Sequence, residues 1–138
     1  RLAQESRHNL AYWRYHDYAG IGPGAHGRRL GHATVRHRKP ENWMSAMSAQ
    51  GQGIDSDLSL TPAERAKEAL VMGLRLAEGV DLERVAERSG VAVAALVDAG
   101  KADALARNGL VTLSGARLTV LPAGMLLLDA ILAEIVAV

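Results

Sequence analysis

The chain has 138 residues, a formal charge of +1 from 16 Lys and Arg against 15 Asp and Glu, no cysteine and no phenylalanine. That length suits one small domain, or one domain with a piece of another, and the balanced charge excludes the strongly basic composition of a dedicated nucleic-acid binder. Without cysteine this chain forms no disulfide and offers no thiolate zinc site, no cysteine nucleophile and no ligand set for an iron–sulfur cluster; nor does any apolar run reach the roughly 18 residues of a membrane span.

The chain opens RLAQESRHNL, with neither an initiator Met nor an apolar signal region, so it is expected to begin inside a longer protein. All five aromatic residues (Tyr12, Trp13, Tyr15, Tyr18 and Trp43) lie in the first 43 positions, and all five histidines (His8, His16, His26, His32 and His37) in the first 37. Residues 1–60 carry a charge of +3 and residues 61–138 a charge of −2. This change of chemistry predicts a part at 1–50, a flexible polar linker at 51–60 and a domain at 61–138. The linker expectation rests on Gly51-Gln52-Gly53 and Asp55-Ser56-Asp57.

In the first part, His8 to Arg14 fits one or two helical turns. Asp17 to Ile21 reads as a strand running into the glycine-rich loop Gly22-Pro23-Gly24-Ala25-His26-Gly27. Five glycines within residues 20–31 mean that the backbone turns sharply or comes close to another group. Pro40-Glu41-Asn42-Trp43 starts a helix reaching Gln50. A strand, a loop and a helix bury no core alone, so this part is expected to be the end of a larger domain.

The second part is more regular. Thr61-Pro62-Ala63-Glu64 is a capping box with proline at the first helical position. Its helix carries a broad apolar face from Ala66 to Leu76 and is expected to end at Gly79. Asp81 caps a short helix from Leu82 to Arg88, stopped by Ser89-Gly90. Val93 to Asn108 is a third helical stretch, interrupted near Gly100. Leu110–Leu113 and Arg117–Val120 flank Ser114-Gly115 as a hairpin, and Pro122-Ala123-Gly124 opens a last helix, apolar from Met125 to Val136. Helix, helix, helix, hairpin, helix is the order of a winged-helix domain.

Four features offer chemistry. His8, flanked by Tyr12 and Trp13, suits either an axial ligand of a flat tetrapyrrole or a hydrogen-bonded packing residue. The loop from Gly20 to Gly27 either brings backbone N–H groups to a cofactor's phosphate, carboxylate or ribose, or is a structural turn; its spacing is not the dinucleotide fingerprint, and Pro23 removes a donor. The basic run Arg28-Arg29-Leu30-Gly31-His32 and Arg36-His37-Arg38-Lys39 either meets carboxylates or is a solvated face. A winged helix reading DNA would need a basic recognition helix, yet residues 91–108 hold only Lys101 and Arg107 against Asp98 and Asp103. Nothing here builds a Ser–His–Asp arrangement or a zinc motif.

SRHNLAYW (residues 6–13), YAGIGPGAHG (18–27) and ERAKEALVMGLRLAEGVDL (64–82) together resemble the radical-SAM oxygen-independent coproporphyrinogen III oxidase-like proteins. The HNxxYW element resembles their heme-chaperone branch. The resemblance runs over essentially the whole chain, with the motifs in order, and corresponds to the C-terminal part of a family member. It implies an α+β fragment: the last strand and helix elements of a partial TIM-type radical-SAM barrel (1–50), followed by a winged-helix-like C-terminal domain (61–138). It further implies S-adenosylmethionine and a [4Fe–4S] cluster in the parent protein, the cluster held by a CxxxCxxC loop with no counterpart in these residues. Heme contacts carry over to His8, Asn9, Tyr12 and Trp13, and cofactor-facing positions to Gly22, Gly24, Ala25 and His26.

The implied function is binding heme and passing it to acceptor proteins in the cytoplasm, membrane proteins among the acceptors. The C-terminal domain would cover the mouth of the site or make homodimer contacts. Two alternatives stand beside it. One is oxidative decarboxylation of coproporphyrinogen III, with porphyrin carboxylates met by Arg28, Arg29 or Arg36. The other is a winged-helix module binding nucleic acid or a protein. Without the cluster loop, these residues alone are expected to be inactive in radical chemistry.

Overall fold

The computed structural model describes residues 6–138, apart from the side chain of His8. It divides into two compact units, one of residues up to Tyr12 with His16–Thr61, the other of Trp13–Tyr15 with Pro62–Val138.

The first unit is built on a hairpin that the sequence did not announce. Strands β1 (His26–Arg29) and β2 (His32–Arg36) pair antiparallel, joined at Leu30 and Gly31, both in the left-handed region at φ 50° and 79°. Two consecutive positive φ values give a turn whose twist matches that of the strands. Glycine supplies one of them freely; leucine is an unusual occupant of the other. Strand β3 (Ile54–Ser59) adds to the far side of β2, giving the order β1-β2-β3.

Residues 54–59 are therefore a strand and not the expected flexible linker. Their backbone pairs with β2, and His32 Nδ1 and His37 Nδ1 lie 2.8 Å and 3.2 Å from Asp57 Oδ1 and Asp55 Oδ1. The polar composition that suggests a linker is here cross-strand partnership. The strand expected at 17–21 shrinks to one bridge: Tyr18 and Arg28 exchange both backbone hydrogen bonds, at 2.7 Å and 2.9 Å. All strand pairings among the described residues are antiparallel, and neither sheet closes into a barrel.

Two helices complete this unit. Helix α1 spans Arg7–Trp13, and α2 spans Pro40–Gln50 with proline in its first turn, as the sequence predicts; Gly51 (φ 70°), expected in the linker, is its left-handed cap. The Trp43 ring lies against the backbone of Gly53, where a Cβ would stand 2.2 Å from Trp43 Cδ1.

The second unit holds the apolar core. Helix α3 (Pro62–Gly73) buries Ala66 and Leu70, and Leu74 continues the four-residue stripe just past its end; all three are fully buried. The helix stops at Gly73, not at Gly79, because Val80 packs onto Gly73 and the chain turns back through hydrogen bonds from Arg75, Leu76 and Gly79. Gly79 (φ 66°) serves instead as the approach to β4 (Val80–Asp81). Asp81 then caps α4 (Leu82–Ser89) by accepting from the N–H groups of Glu83 and Arg84, and Gly90 closes it at φ 82°.

The third helical stretch is interrupted at Val97 and Asp98, earlier than Gly100. Helix α5 (Val93–Leu96) ends where Val97 becomes extended and bridges to Val136, and Asp98 caps α6 (Ala99–Arg107). Gly100 lies inside the first turn of α6. Strands β5 (Val111–Ser114) and β6 (Arg117–Val120) form the predicted hairpin, and β4 pairs with β6, giving the order β4-β6-β5. The last helix is split into α7 (Pro122–Met125) and α8 (Leu128–Ile135), with Leu126 and Leu127 between them. Ile131, Leu132 and Ile135 return from α8 to the core shared with Leu96, Val111, Leu118 and Val120. No helix among the described residues is long and apolar enough to cross a membrane.

Candidate functional site

Glycines 20 to 27 form a loop held at both ends by the hairpin. The Arg36 guanidinium donates to the carbonyl of Gly20, the N–H of Arg36 to the carbonyl of Ala25, and the N–H of Gly24 to the carbonyl of His37. Gly20 and Gly27 are buried against their own chain. A Cβ on Gly20 would stand 2.7 Å from the carbonyl oxygen of His26, and one on Gly27 would stand 2.6 Å from Thr34 Oγ1. These two glycines are explained by chain packing.

Gly22 and Gly24 differ from them. Both adopt positive φ, 86° and 71°, and a Cβ on Gly22 would meet nothing within 4 Å. Ala25 is half-buried, and His26 is exposed at the start of β1. Gly24 N–H is committed to His37, Ala25 N–H points to the carbonyl of Gly22 at 3.4 Å, and Pro23 has no N–H. The stretch from Pro23 to Ala25 thus offers no free amide. What the loop presents to a ligand is bare backbone surface at Gly22.

The HNxxYW element forms α1. Its His8 side chain lies outside the described residues, and Asn9 is exposed. Tyr12 is 37% exposed and meets Tyr18 edge to face, ring centroids 5.4 Å apart at 63°. Because Tyr18 is zipped to Arg28, this contact ties α1 to the hairpin that holds the glycine loop. The two motifs therefore meet within the first unit, through Tyr18, a residue that sequence reasoning passed over as part of a strand.

Trp13 belongs to the second unit, with Arg14 and Tyr15. Arg14 donates from Nε and Nη2 to the two carboxylate oxygens of Glu78, at 2.7 Å and 2.8 Å. Tyr15 Oη donates to Glu68 Oε2 at 2.6 Å, and Arg88 Nη2 donates to the Tyr15 carbonyl at 3.0 Å. The Arg14 hydrogen bond holds the Glu78 carboxyl below its ordinary pKa of 4.5, against a smaller opposing effect of burial. A carboxylate whose folded pKa is depressed adds stability above its unfolded pKa and loses it as pH falls. Wild-type protein should therefore lose stability below pH ~4.5 more steeply than Glu78→Gln, by no more than ~1 kcal/mol for a pair this exposed. Urea midpoints at pH 7 and pH 3 measure the difference; equal slopes in both proteins would remove Glu78 from the account.

Among the described residues, no group of three or more His, Asp or Glu side chains is arranged to hold a metal ion. Arg29, Arg38 and Lys39 of the basic run are exposed.

Residues 60–127 match the HemN C-terminal domain family. The chain is 32% identical to the heme chaperone HemW of Bacillus subtilis (strain 168) over 111 residues, 80% of this chain and 29% of that protein. It is 39% identical to the mitochondrial radical S-adenosyl methionine domain-containing protein 1 of Danio rerio over 83 residues, 54% of this chain and 19% of that protein. The chain thus spans less than a third of either relative. In fold it resembles the Escherichia coli coproporphyrinogen III oxidase HemN, a radical SAM enzyme, with TM-score 0.63 and 18% identity over 86% of this chain and 28% of that one. The chain is a homologue of the HemW-type radical-SAM proteins, and its residues 60–127 belong to the HemN C-terminal domain family.

Proposed function

We propose that this chain acts as the C-terminal portion of a radical-SAM heme chaperone, which binds heme and passes it to acceptor proteins. The observation that carries the reading is the 32% identity with a heme chaperone over 80% of the chain. The likeness to the oxidase, at 18% identity, speaks for fold alone. In this reading His8 supplies an imidazole ligand to iron, and the exposed Tyr12 ring and Trp13 shield a porphyrin face. Asn9 and Tyr12 stand one and four positions after His8 on the same helix.

The cluster and S-adenosylmethionine would belong to the parent protein. With no cysteine, these residues do not fit the cluster and take no part in holding it. Gly24 and Ala25 would meet S-adenosylmethionine as a close backbone surface, since their amides are already engaged, beside Gly22 and the exposed His26. We assign residues 1–50 to the end of the barrel domain and residues 61–138 to a winged-helix-like domain. The order of α3, β4, α4, α6 and the β5–β6 hairpin supports the second of these assignments.

Titration of the chain with hemin, followed by the Soret band, tests the reading. His8→Ala is expected to weaken binding by on the order of 10–100-fold, the scale set by losing a ligand-shell interaction. An unchanged titration in that variant would remove His8 from the site. Conversion of coproporphyrinogen III by the reconstituted parent protein under anaerobic conditions would favour the oxidase.

A further inference from the structure

We infer that His32 is a second iron-porphyrin ligand, set on one face of the β1-β2-β3 sheet with Asp57 as its positioning residue and Arg29 beside it; the inference rests on the reading above, which supplies the porphyrin as cargo. The placement follows from register. His32 stands directly opposite Arg29 on β1 and Ser59 on β3, and Asp57 stands opposite Thr34, two residues along β2. Opposed residues, and alternate residues of one strand, share a face, so Arg29, His32 and Asp57 rise from the same side of the sheet. His32 Nδ1 lies 2.8 Å from Asp57 Oδ1. An ionised carboxylate only accepts, so Nδ1 carries the proton and Nε2 keeps its lone pair. The ring forms no other hydrogen bond among the described residues, and the side chain is 48% exposed. A carboxylate on the far nitrogen is the arrangement of metal-ligating histidines, because it fixes the tautomer and ring orientation and makes the free nitrogen more basic.

The surroundings of the ring select what it ligates. A bare zinc-like ion usually takes three or four protein donors, and among the described residues no group of three or more His, Asp or Glu side chains is arranged to hold one. A tetrapyrrole surrounds iron with its own nitrogens and asks the protein for an axial imidazole. Its carboxylates hang from the rim of the macrocycle, so they call for a cation beside the ligand and not above it. Arg29 is exposed, and the side chains of directly opposed residues start about 4.5–5.5 Å apart. Between the two in the chain stands Leu30, 78% exposed at φ 50°, its N–H donating to Asp17 Oδ2 at 3.1 Å. A leucine in that conformation is strained, and such strain gathers at ligand sites. Next to the imidazole it offers apolar surface to a porphyrin. A solvated sheet face accounts for Arg29 and for the His32–Asp57 pair, but not for a strained, exposed leucine at the tip.

Hemin titrated into the whole chain and followed at the Soret band tests the assignment, with a thermal melt on every variant. Wild type should take up two equivalents and His8→Ala one. In the His8→Ala background, His32→Ala should abolish the remaining uptake. Asp57→Asn should weaken it by on the order of 10–100-fold, the scale for losing the group that orients a metal ligand. Arg29→Gln should weaken hemin by up to about fivefold, the yield of an exposed ion pair, and leave binding of hemin dimethyl ester unchanged. His26 is also exposed on this sheet, but no carboxylate holds it among the described residues, so His26→Ala should change nothing. Two equivalents in His8→Ala, one of them lost on adding His32→Ala, would remove His8 from the heme reading and uphold this site. A single equivalent in wild type, eliminated by His8→Ala, would overturn this site and leave that reading intact. No uptake by wild type would overturn both. Loss of the second equivalent through His26→Ala, or indifference to Asp57→Asn, would reduce it to adsorption on any exposed imidazole and overturn the assignment.

Discussion

Gly79→Ala is expected to lower the stability of the unit holding residues 62–138 by about 2–5 kcal/mol, the sum of a left-handed backbone cost and overpacking. Two separate demands fall on this residue. Its φ of 66° disfavours any side chain, and a Cβ there would lie 2.2 Å from the carbonyl oxygen of Leu118 and 2.8 Å from the Cα of Thr119. Both neighbours are backbone atoms of β6, the central strand of the β4-β6-β5 sheet, and cannot swing aside as a side chain would. Gly115 supplies the control. It has nearly the same φ, 60°, but nothing within 4 Å of a built Cβ, so Gly115→Ala should cost only the backbone share, about 1–2 kcal/mol. Urea unfolding of the two variants separates the effects. Equal losses would mean that the close approach to β6 is relieved by a shift of the turn.

Leu118→Ala is expected to cost about 2–5 kcal/mol, the range for truncating a fully buried leucine. Leu118 is wholly buried on β6, opposite Val80 on one side and Leu113 on the other. Leu113 is 47% exposed, so Leu113→Ala should cost well under half as much, because little area leaves water there. Against a typical domain stability of about 5–15 kcal/mol, the Leu118 variant should show a clearly lower urea midpoint at unchanged slope. A midpoint near that of wild type would place Leu118 outside the core. The Gly79 and Leu118 effects should not add, since Gly79 abuts the main chain of Leu118 itself.

The features legible in the sequence are those whose cause is local. Pro62 starting α3, Asp81 capping α4, Gly90 ending it and Pro40 opening α2 all follow from residues that satisfy or remove a backbone group within one turn. The features that escaped depend on partners far along the chain. Val97 breaks its helix because Val136 pairs with it, and Asp55 and Asp57 read as linker until His37 and His32 stand across from them. Leu30 concealed a hairpin, because leucine in a left-handed turn is not a turn signal.

The site divides in the same way. Glycine spacing gave away a loop under close approach, yet it could not distinguish Gly20 and Gly27, packed on their own chain, from Gly22, which is open. HNxxYW identified α1, but the ring contact of Tyr12 with Tyr18 follows only from the fold.

The pairing of Val97 with Val136 bears on how this unit comes into being. Asp98 donates its N–H to Ile135, and Ala137 donates to Leu96, so the last residues lie along the break between α5 and α6. During synthesis, the seat formed by Leu96 and Val97 stays unfilled while about forty further residues are added, a long exposure at the usual pace of elongation. The break between α5 and α6 is therefore sealed only by a segment some forty residues further along the chain, and until that segment arrives Leu96, fully buried in the finished unit, stays open to water.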